Sequence, residues 1–514
     1  MIFRSFCGRA GAQAVRALGR AEVPGRASGV LLHPTSLAGP YGSGELGEEA
    51  ERFVGFLREA GQTLWQVLPL GPTDAEGSPY SSPSAFAGNP LLVSTDRLVG
   101  EGLLREGEVA GVTSGDVDYA EVFPEKMERL RQAFSRWRPE AEFETFRERQ
   151  AGWLPDYTLF MALKERYEGR SWTGWPEPLA FREAEALQDV RRENEREIRF
   201  WEFVQWRFFR DWGRVKSLAN RAGVRVVGDV PIFISHDSAD VWANQGEFYL
   251  DERGEPTVVA GVPPDYFSET GQLWGNPLYR WDRMERGGYR WWVARIEMAL
   301  TQCDLIRLDH FRGFEAYWEV EAGEETAESG RWVAGPGEKL FERIRSDLGD
   351  LPMIAEDLGD ISDEVRALRE KLALPGMKVL QFGFSGPENP FLPHNYRGEN
   401  WAVYTGTHDN DTTEGWLAGI SDSSEGDLLR RYTGRESVGA WDVLRLAHAS
   451  TARWSIVPMQ DLLGLGSESR MNTPGTSTGN WRWRMPEGAM SSSLAEKLRD
   501  LTEVYGRTSE TDDQ

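Results

Sequence analysis

The decapeptide LIRLDHFRGF, residues 305–314, joins an apolar run typical of a buried parallel strand to a charged C-terminal end. On an extended strand, residues i and i+2 share a face, so Arg307 and Asp309 are expected to lie side by side. The guanidinium would favour the ionised form of Asp309 and make this carboxylate a potential nucleophile. A structural ion pair would show the same spacing, and the decapeptide alone does not separate the two interpretations.

Seven further apolar runs resemble this one, and helical patterns separate many of them. Near-continuous apolar strands that alternate with helices indicate a parallel sheet covered on both faces, and eight such strands predict a closed (β/α)8 TIM barrel. The eight strands are expected at 30–33, 64–69, 224–233, 305–311, 353–357, 379–384, 403–408 and 454–460.

The domain organisation follows from the intervals between these strands. Apolar residues that return every three or four positions predict helices at 48–60, 198–220, 291–300, 337–348 and 363–372. We expect one catalytic barrel over 27–505, with a largely helical insertion at about 75–200 and a loop insertion at 244–283. Residues 1–26 are expected to be a disordered extension or to precede the true start, and 506–514 a disordered tail.

Composition narrows the function classes. The chain has 514 residues and a formal charge of -24, which argues against nucleic-acid partners because phosphate backbones require clustered Lys and Arg. It contains no run of about 18 apolar residues, so no membrane-spanning helix is expected. Two cysteines cannot form a disulfide framework or a zinc cluster and fit a reducing, cytoplasmic interior. The 21 tryptophans could stack on sugars as well as fill the core.

Acidic residues end four of the predicted strands. In a parallel barrel these ends meet at one mouth, and they carry Asp229, Asp309, Glu356 and Asp409. One such acid is often a helix cap, but several converging anions repel one another unless cations or protons compensate. A magnesium or calcium site is one interpretation, although Arg307 beside Asp309 argues against it.

Glycoside chemistry is the second interpretation of this acidic cluster. It requires an ionised nucleophile and a second carboxylic acid of raised pKa that protonates the leaving oxygen. Asp309 fits the first role, and Glu356, which lacks an adjacent cation in the sequence, fits the second.

Together these motifs resemble those of the 4-α-glucanotransferases called amylomaltases or disproportionating enzymes, glycoside hydrolase family 77 of the α-amylase clan. The resemblance is carried by SGVLLHPTSL at Ser28, SPYSSPSAFAGNP at Ser78, GDVPIFISHDSADVWAN at Gly228, RLDHFRGF at Arg307, IAEDLG at Ile354, TGTHDNDTT at Thr405 and QDLLGLGSESRMNTPGTSTGNWRWR at Gln460. It implies a barrel without a separate C-terminal β-domain. It also implies retaining transfer of an α-1,4-glucan segment to the 4-hydroxyl of an acceptor glucose or glucan, through a covalent glucosyl-enzyme intermediate, with no cofactor and no metal.

The resemblance also implies roles for individual residues. Asp309 would be the nucleophile, Glu356 the acid and base, and Asp409 the third carboxylate, which holds the distorted sugar. Further residues expected at the substrate are Tyr80 as a stacking platform, Asp229 beside the reacting sugar or as a brace for Arg307, Trp274, Arg307 and His408.

The segment 261–274 resembles a lid over the acceptor side. Its aromatic residues Tyr266, Phe267 and Trp274 would exclude water and favour transfer over hydrolysis. A plain α-glucan hydrolase would share the same carboxylates, and the lid argues against it. An inactive glucan-binding protein would be indicated by a missing carboxylate, and all three are present. The oligomeric state is not predicted.

Overall fold

The computed structural model describes residues 25–109, 115–264 and 268–508. Its strands are β1 (Ala27–Leu31), β2 (Leu64–Gln66), β3 (Arg225–Val230), β4 (Val258–Val262), β5 (Gln272–Pro277), β6 (Leu305–Leu308), β7 (Ala316–Glu321), β8 (Gly330–Ala334), β9 (Met353–Ala355), β10 (Gly376–Val379), β11 (Trp401–Tyr404) and β12 (Trp454–Pro458).

The helices surround the strands and fill the first insertion. They are α1 (Glu48–Glu59), α2 (Thr95–Gly100), α3 (Tyr119–Arg136), α4 (Ala141–Arg149), α5 (Leu154–Arg166), α6 (Glu177–Ala180), α7 (Ala184–Glu193), α8 (Glu195–Arg221), α9 (Ala239–Ala243), α10 (Trp281–Arg286), α11 (Arg290–Gln302), α12 (Arg312–Glu315), α13 (Gly337–Leu348), α14 (Asp363–Lys371), α15 (Thr413–Ile420), α16 (Ser424–Thr433), α17 (Ala440–Ala449), α18 (Met459–Leu463) and α19 (Ser492–Val504). None of the described helices is both long and apolar enough to cross a membrane.

Eight parallel strands form the barrel, in the order β10-β11-β12-β1-β2-β3-β6-β9. The Ala355 N–H donates to the Pro375 carbonyl at 2.8 Å and brings the two ends of the sheet together. The predicted (β/α)8 barrel is therefore confirmed. Every strand residue from Ala27 to Leu31 and from Trp454 to Pro458 is buried, as expected of parallel strands covered on both faces.

Each of the eight predicted strands ends two to five residues too late, and two of them illustrate this. The strand at β6 stops at Leu308, so Asp309 lies in the loop that follows. The sixth strand was expected at 379–384 but runs from Gly376 to Val379, because residues 380–382 turn into a 3-10 helix. At β6 the chain leaves the sheet where the charged motif begins.

The sequence predicted a loop for the second insertion, 244–283, and this prediction is wrong. Strands β4 and β5 lie within it and pair with β7 and β8 in a four-stranded antiparallel sheet, in the order β5-β4-β7-β8. Gly261 pairs with both Leu273 and Trp318, so the sheet joins segments far apart in the chain. The strands are short, three of the four contain a glycine, and the central pair, β4 with β7, joins segments that are not adjacent in sequence.

Most tryptophans fill the core. Trp65, Trp172, Trp201, Trp212, Trp242 and Trp292 are among the largest fully buried side chains. Edge-to-face contacts connect several of them, such as Trp65 with Trp212, whose ring centroids are 6.0 Å apart. Core packing therefore explains most of the high tryptophan content.

The first and last described residues of the chain are tied to the bottom of the barrel. Arg507 is 0% exposed and donates to backbone carbonyls of Ala27, His448 and Ala452 at 2.8–3.0 Å. The prediction that the disordered tail starts at Gly506 is therefore wrong at Arg507, because this guanidinium satisfies buried carbonyls. Arg26, at the end of the predicted extension, also donates to the carbonyl of His448, at 2.9 Å. Residues 1–24 and 509–514 lie outside the described residues.

Replacing Arg507 should destabilise the barrel. Arg507→Met removes at least three buried hydrogen bonds to backbone carbonyls, at about 1 kcal/mol each, and we expect the thermal unfolding midpoint to fall by several degrees. Arg499→Met is the matched control, because this arginine is exposed and donates only to carbonyls at the end of α1. Equal midpoints for the two variants would contradict the assigned role.

Candidate active site

A buried arginine links two of the predicted carboxylates at the mouth of the barrel. The Arg307 Nη1 atom lies 2.7 Å from Asp229 Oδ2 and 2.9 Å from Asp309 Oδ1. The side chain of Asp229 is 0% exposed, whereas that of Asp309 is one quarter exposed, at 25%. The two carboxylates raise the pKa of Arg307, although burial alone would lower it. Of the two carboxylates, only that of Asp309 is accessible from the mouth of the barrel.

The position of Asp229 distinguishes its two predicted roles. Its carboxylate accepts two hydrogen bonds from Arg307 and one from the Tyr80 hydroxyl, at 2.7 Å. A fully buried carboxylate engaged in this way does not reach a sugar. The geometry thus favours the brace for Arg307 over direct contact with the substrate.

Tyr80 and His408 stack against each other beside this trio. Their rings are 5.3 Å apart with an interplanar angle of 14°, and the Tyr80 hydroxyl lies 2.9 Å from His408 Nε2. The same nitrogen lies 3.3 Å from Asp409 Oδ2. Because the Tyr80 hydroxyl donates to Asp229, it accepts the hydrogen bond from His408. A hydrogen-bonded path therefore runs from Asp229 through Tyr80 to His408, whose Nε2 lies close to Asp409.

Glu356 is held by the main chain. Its Oε2 accepts a hydrogen bond from the His310 N–H at 2.7 Å, and its Oε1 accepts one from the Leu358 N–H at 3.0 Å. Burial raises the pKa of Glu356 to about 7, and the charge of Asp309 adds to this, while Arg307 and the two N–H groups oppose it. This carboxyl group is suited to donating a proton near neutral pH.

His310 has a left-handed backbone, with φ of 48°, which is uncommon outside glycine. This conformation places its N–H against Glu356 and its ring against the lid strand β5. The ring of Trp274 meets the His310 ring edge-on at 4.8 Å, and Trp274 is 38% exposed. Tyr266 and Phe267, the other aromatic residues of the predicted lid, lie outside the described residues.

Two residues at the site were not predicted. Asn472 donates from Nδ2 to Asp409 Oδ1 at 2.7 Å, and Arg470 donates to the Asp409 carbonyl at 2.6 Å. The Asn472 N–H also donates to the His408 carbonyl at 3.0 Å. Both residues belong to the segment QDLLGLGSESRMNTPG, but no local pattern indicates that its amide reaches a carboxylate more than 60 residues earlier.

Buried polar side chains hold the loops that carry these groups. Asp461 accepts hydrogen bonds from the hydroxyls of Thr405 and Thr413, at 2.5 and 2.6 Å, and so closes the loop that contains His408 and Asp409. Gln205 of α8 exchanges two hydrogen bonds with the backbone of Gly88, at 2.7 and 2.9 Å, and anchors the loop of Tyr80. Rigid support of this kind fixes the geometry of a reactive site.

Gly88 must be glycine for this anchoring. A Cβ atom there would lie 1.9 Å from the ring of Phe208 on α8. The loop therefore packs directly on the helix with its main chain.

Metal-ligating side chains do not cluster at the mouth. Within residues 25–109, 115–264 and 268–508, no group of three His, Cys, Asp or Glu side chains is arranged to hold a metal ion. The acids of the mouth are instead matched by Arg307, by hydroxyl and amide donors, and by backbone N–H groups.

The site and the fold agree with the comparisons to known proteins. The family model described as 4-alpha-glucanotransferase matches residues 32–491. The chain belongs to the 4-α-glucanotransferase family. It is 52% identical to the 4-alpha-glucanotransferase of Thermus thermophilus over 95% of this chain and 100% of that protein. It is 47% identical to the 4-alpha-glucanotransferase of Synechocystis sp. over 94% of this chain and 98% of that protein.

Solved structures give the same result. Amylomaltase from Streptococcus agalactiae in complex with acarbose has a TM-score of 0.91 and 38% identity, over 94% of this chain and 100% of that one. Amylomaltase from Corynebacterium glutamicum shares the fold, with a TM-score of 0.75 at 19% identity over 97% and 76% of the two chains. As a 4-α-glucanotransferase, the chain acts on α-1,4-glucans and transfers a segment of one to the 4-hydroxyl of an acceptor by a retaining double displacement.

The raised pKa of Glu356 predicts the pH dependence of the glucanotransferase. With Glu356 in its predicted role as proton donor for an unactivated glucan, kcat/KM for the donor should fall about tenfold per pH unit above about 7. With a glucan fluoride donor, whose leaving group needs no proton, kcat/KM should not fall in this way above pH 7. Initial rates with both donors between pH 5 and 9 test this, and an alkaline limb common to both would contradict it.

Removing the amide of Asn472 should impair the reaction through Asp409. A hydrogen bond to a charged group contributes about 1.5–3 kcal/mol, so Asn472→Ala should lower kcat/KM about 10- to 100-fold with an unchanged unfolding midpoint. Asn480→Ala is the matched control, since the Asn480 amide bonds only to Thr473 and Thr476 of its own loop. The expectation fails if both variants are equally active.

Proposed function

We propose that Asp309, Glu356 and Asp409 carry the glucan transfer, as nucleophile, acid and base, and sugar-holding carboxylate. The observation that supports this most strongly is the contrast between two neighbouring carboxyl groups. Asp309 pairs with a guanidinium at 2.9 Å, whereas burial raises the pKa of Glu356 to about 7. A retaining reaction needs this contrast, with one group charged and the other protonated.

In the first step, an Asp309 oxygen attacks the anomeric carbon of the donor glucan. The bond from that carbon to the glycosidic oxygen breaks, and Glu356 gives its proton to this oxygen, which leaves as the 4-hydroxyl of the released segment. The product is a glucosyl ester of Asp309, and Glu356 is now ionised. Arg307 remains beside the Asp309 carboxylate, and we assign it the orientation of the nucleophile.

In the second step, the 4-hydroxyl of the acceptor glucan attacks the same carbon. Glu356 takes the hydroxyl proton, the ester bond breaks, and Asp309 returns to its charged form. Two inversions give overall retention. Both catalytic groups end in their starting protonation states.

The sugar that reacts would lie over Tyr80 and against Asp409. The half-buried Tyr80 ring offers a flat surface for stacking, and His408 and Asn472 orient Asp409 from behind. Trp274 would cover the acceptor side and reduce the access of water to the ester, which favours transfer over hydrolysis.

We also propose that maltooligosaccharides serve as both donor and acceptor, that nucleic acids and membranes are not partners, and that the enzyme works in a reducing cytoplasm. The formal charge of -24 supports the absence of a polyanion partner. The buried free thiol of Cys303 and the low cysteine content support a reducing compartment.

Incubation with maltotriose alone tests the residue roles together with the reaction. The parent enzyme should yield glucose and longer maltooligosaccharides, with no net gain of reducing ends. Asp309→Asn and Glu356→Gln should each lower this activity by at least about 1000-fold, because removal of a covalent nucleophile or its proton donor has effects of this size. Chromatography of the products over time measures both outcomes.

A glucan fluoride donor separates the two roles. Glu356→Gln should regain the first step with this donor, visible as a burst of fluoride, whereas Asp309→Asn should not. Glu370→Gln, an exposed carboxylate on α14, serves as the control and should behave as the parent. Near-normal transfer by Asp309→Asn would overturn the assignment, and reducing ends that rise with every bond broken would indicate a hydrolase.

A further inference from the structure

Trp481 contacts two members of the candidate active site but takes no part in the two proposed chemical steps. Its ring centroid lies 5.6 Å from that of Tyr80 and 5.9 Å from that of His408, with interplanar angles of 40° and 37°. These separations are typical of aromatic contacts. Trp481 is buried, with 6% of its surface exposed. Its indole therefore packs against the stacked pair that lies between Asp229 and Asp409.

The backbone of Trp481 is strained. Its φ of 64° lies in the left-handed region, which bulky residues rarely adopt. Such a conformation costs free energy and persists only where the surrounding structure holds it. The Trp481 N–H donates to the Met471 carbonyl at 2.7 Å, and the Trp481 carbonyl accepts a hydrogen bond from the Tyr119 hydroxyl at 2.8 Å. Met471 precedes Asn472, which holds Asp409. Both main-chain polar groups of the strained residue are thus fixed.

Tyr119, the first residue of helix α3, brings the helical insertion into this arrangement. Its side chain is buried, and its ring packs directly on Gly77, where a Cβ atom would lie 2.1 Å from the ring. Gly77 is three residues before Tyr80. One residue of the insertion therefore braces the Tyr80 loop with its ring and Trp481 with its hydroxyl.

We propose that Trp481 is a positioning residue for the reacting sugar and that Tyr119 holds it from the helical insertion. The proposal rests on the proposed stacking role of Tyr80 and sugar-holding role of Asp409. Because the indole contacts both rings of the stacked pair, it limits their tilt and keeps the Tyr80 hydroxyl 2.9 Å from His408 Nε2. His408 Nε2 in turn lies 3.3 Å from Asp409.

This role concerns the rate of the first step more than the affinity for the glucan. The reacting sugar is distorted in the transition state, and its stabilisation depends on groups held in one geometry. An indole that fixes Tyr80 and His408 acts on that geometry without touching the distal sugar units. Loss of the indole should therefore slow formation of the ester and leave donor binding unchanged.

Pre-steady-state kinetics of Trp481→Ala test this proposal. With a glucan fluoride donor and no added acceptor, the rate constant of the fluoride burst reports formation of the Asp309 ester, and the burst amplitude reports the fraction of folded enzyme. We expect the rate constant at saturating donor to fall about 100-fold, with an unchanged amplitude and an unchanged half-saturating donor concentration. Trp481→Phe, which keeps an aromatic face, should lose less than about tenfold.

Tyr119→Phe removes only the hydroxyl that holds Trp481. We expect the burst rate constant to fall about fivefold, the effect of one lost hydrogen bond. In the Trp481→Ala background the same substitution should have no further effect, because Tyr119 acts through the indole. Tyr157→Phe is the matched control, since the buried Tyr157 hydroxyl of the same insertion has no hydrogen-bond partner among the residues that the structure describes.

The remaining outcomes would overturn the positioning role. An unchanged rate constant in Trp481→Ala, with or without a smaller amplitude, would leave the indole a packing role alone, and a higher half-saturating donor concentration with an unchanged rate constant would indicate direct contact with the glucan. If Trp481→Ala does not fold, an unchanged rate constant in Tyr119→Phe overturns the proposal. If Tyr80→Ala has the rate constant of the parent, the proposed stacking role fails first, so the two failures are distinguishable.

Discussion

The buried ion pairs of Arg307 are the interaction on which the site depends. One guanidinium lies between a fully buried carboxylate, Asp229, and a partly exposed one, Asp309. Both carboxylates lie within 3 Å of the same guanidinium nitrogen. In a medium of low dielectric, they would repel each other strongly without this cation between them. Arg307 offsets this repulsion, and Asp229 in turn fixes the guanidinium so that it is not free to follow the substrate. The proposed nucleophile, Asp309, is thus held beside its cation before any sugar arrives.

The same carboxylate begins a path that links loops from different parts of the barrel. Asp229 accepts from Tyr80, Tyr80 accepts from His408, and His408 lies against Asp409, which Asn472 holds from the other side. Apart from the contact between the neighbours His408 and Asp409, each contact joins groups carried by different strand ends or loops. The site is therefore assembled by the closure of the barrel, and its polar groups are positioned before the reaction rather than during it.

The sequence predicted the parts of this site that depend on local geometry. Strand periodicity and the rule that chemistry lies at strand ends were sufficient to find Asp309 and Glu356 and to predict an eight-stranded barrel. Asn472 was missed because its contact with Asp409 depends on how a distant loop folds back. The antiparallel sheet was missed for the same reason, since Gly261 meets its partner Trp318 only through pairing across the chain. The bracing role of Asp229 depends on how deeply its side chain is buried, which sequence spacing does not determine.

The two backbone amides that hold Glu356 also restrict where its proton can sit. A carboxyl group offers about four lone-pair positions, and the N–H groups of His310 and Leu358 occupy one on each oxygen. When Glu356 is protonated, its proton is confined to the remaining positions. The main chain would therefore set the direction in which Glu356, as the proposed acid, delivers this proton to the sugar. Side-chain substitution at 310 or 358 leaves these donors in place unless proline is introduced. The orientation of Glu356, the proposed acid, therefore depends on the backbone at 310 and 358 and not on the chemistry of those side chains.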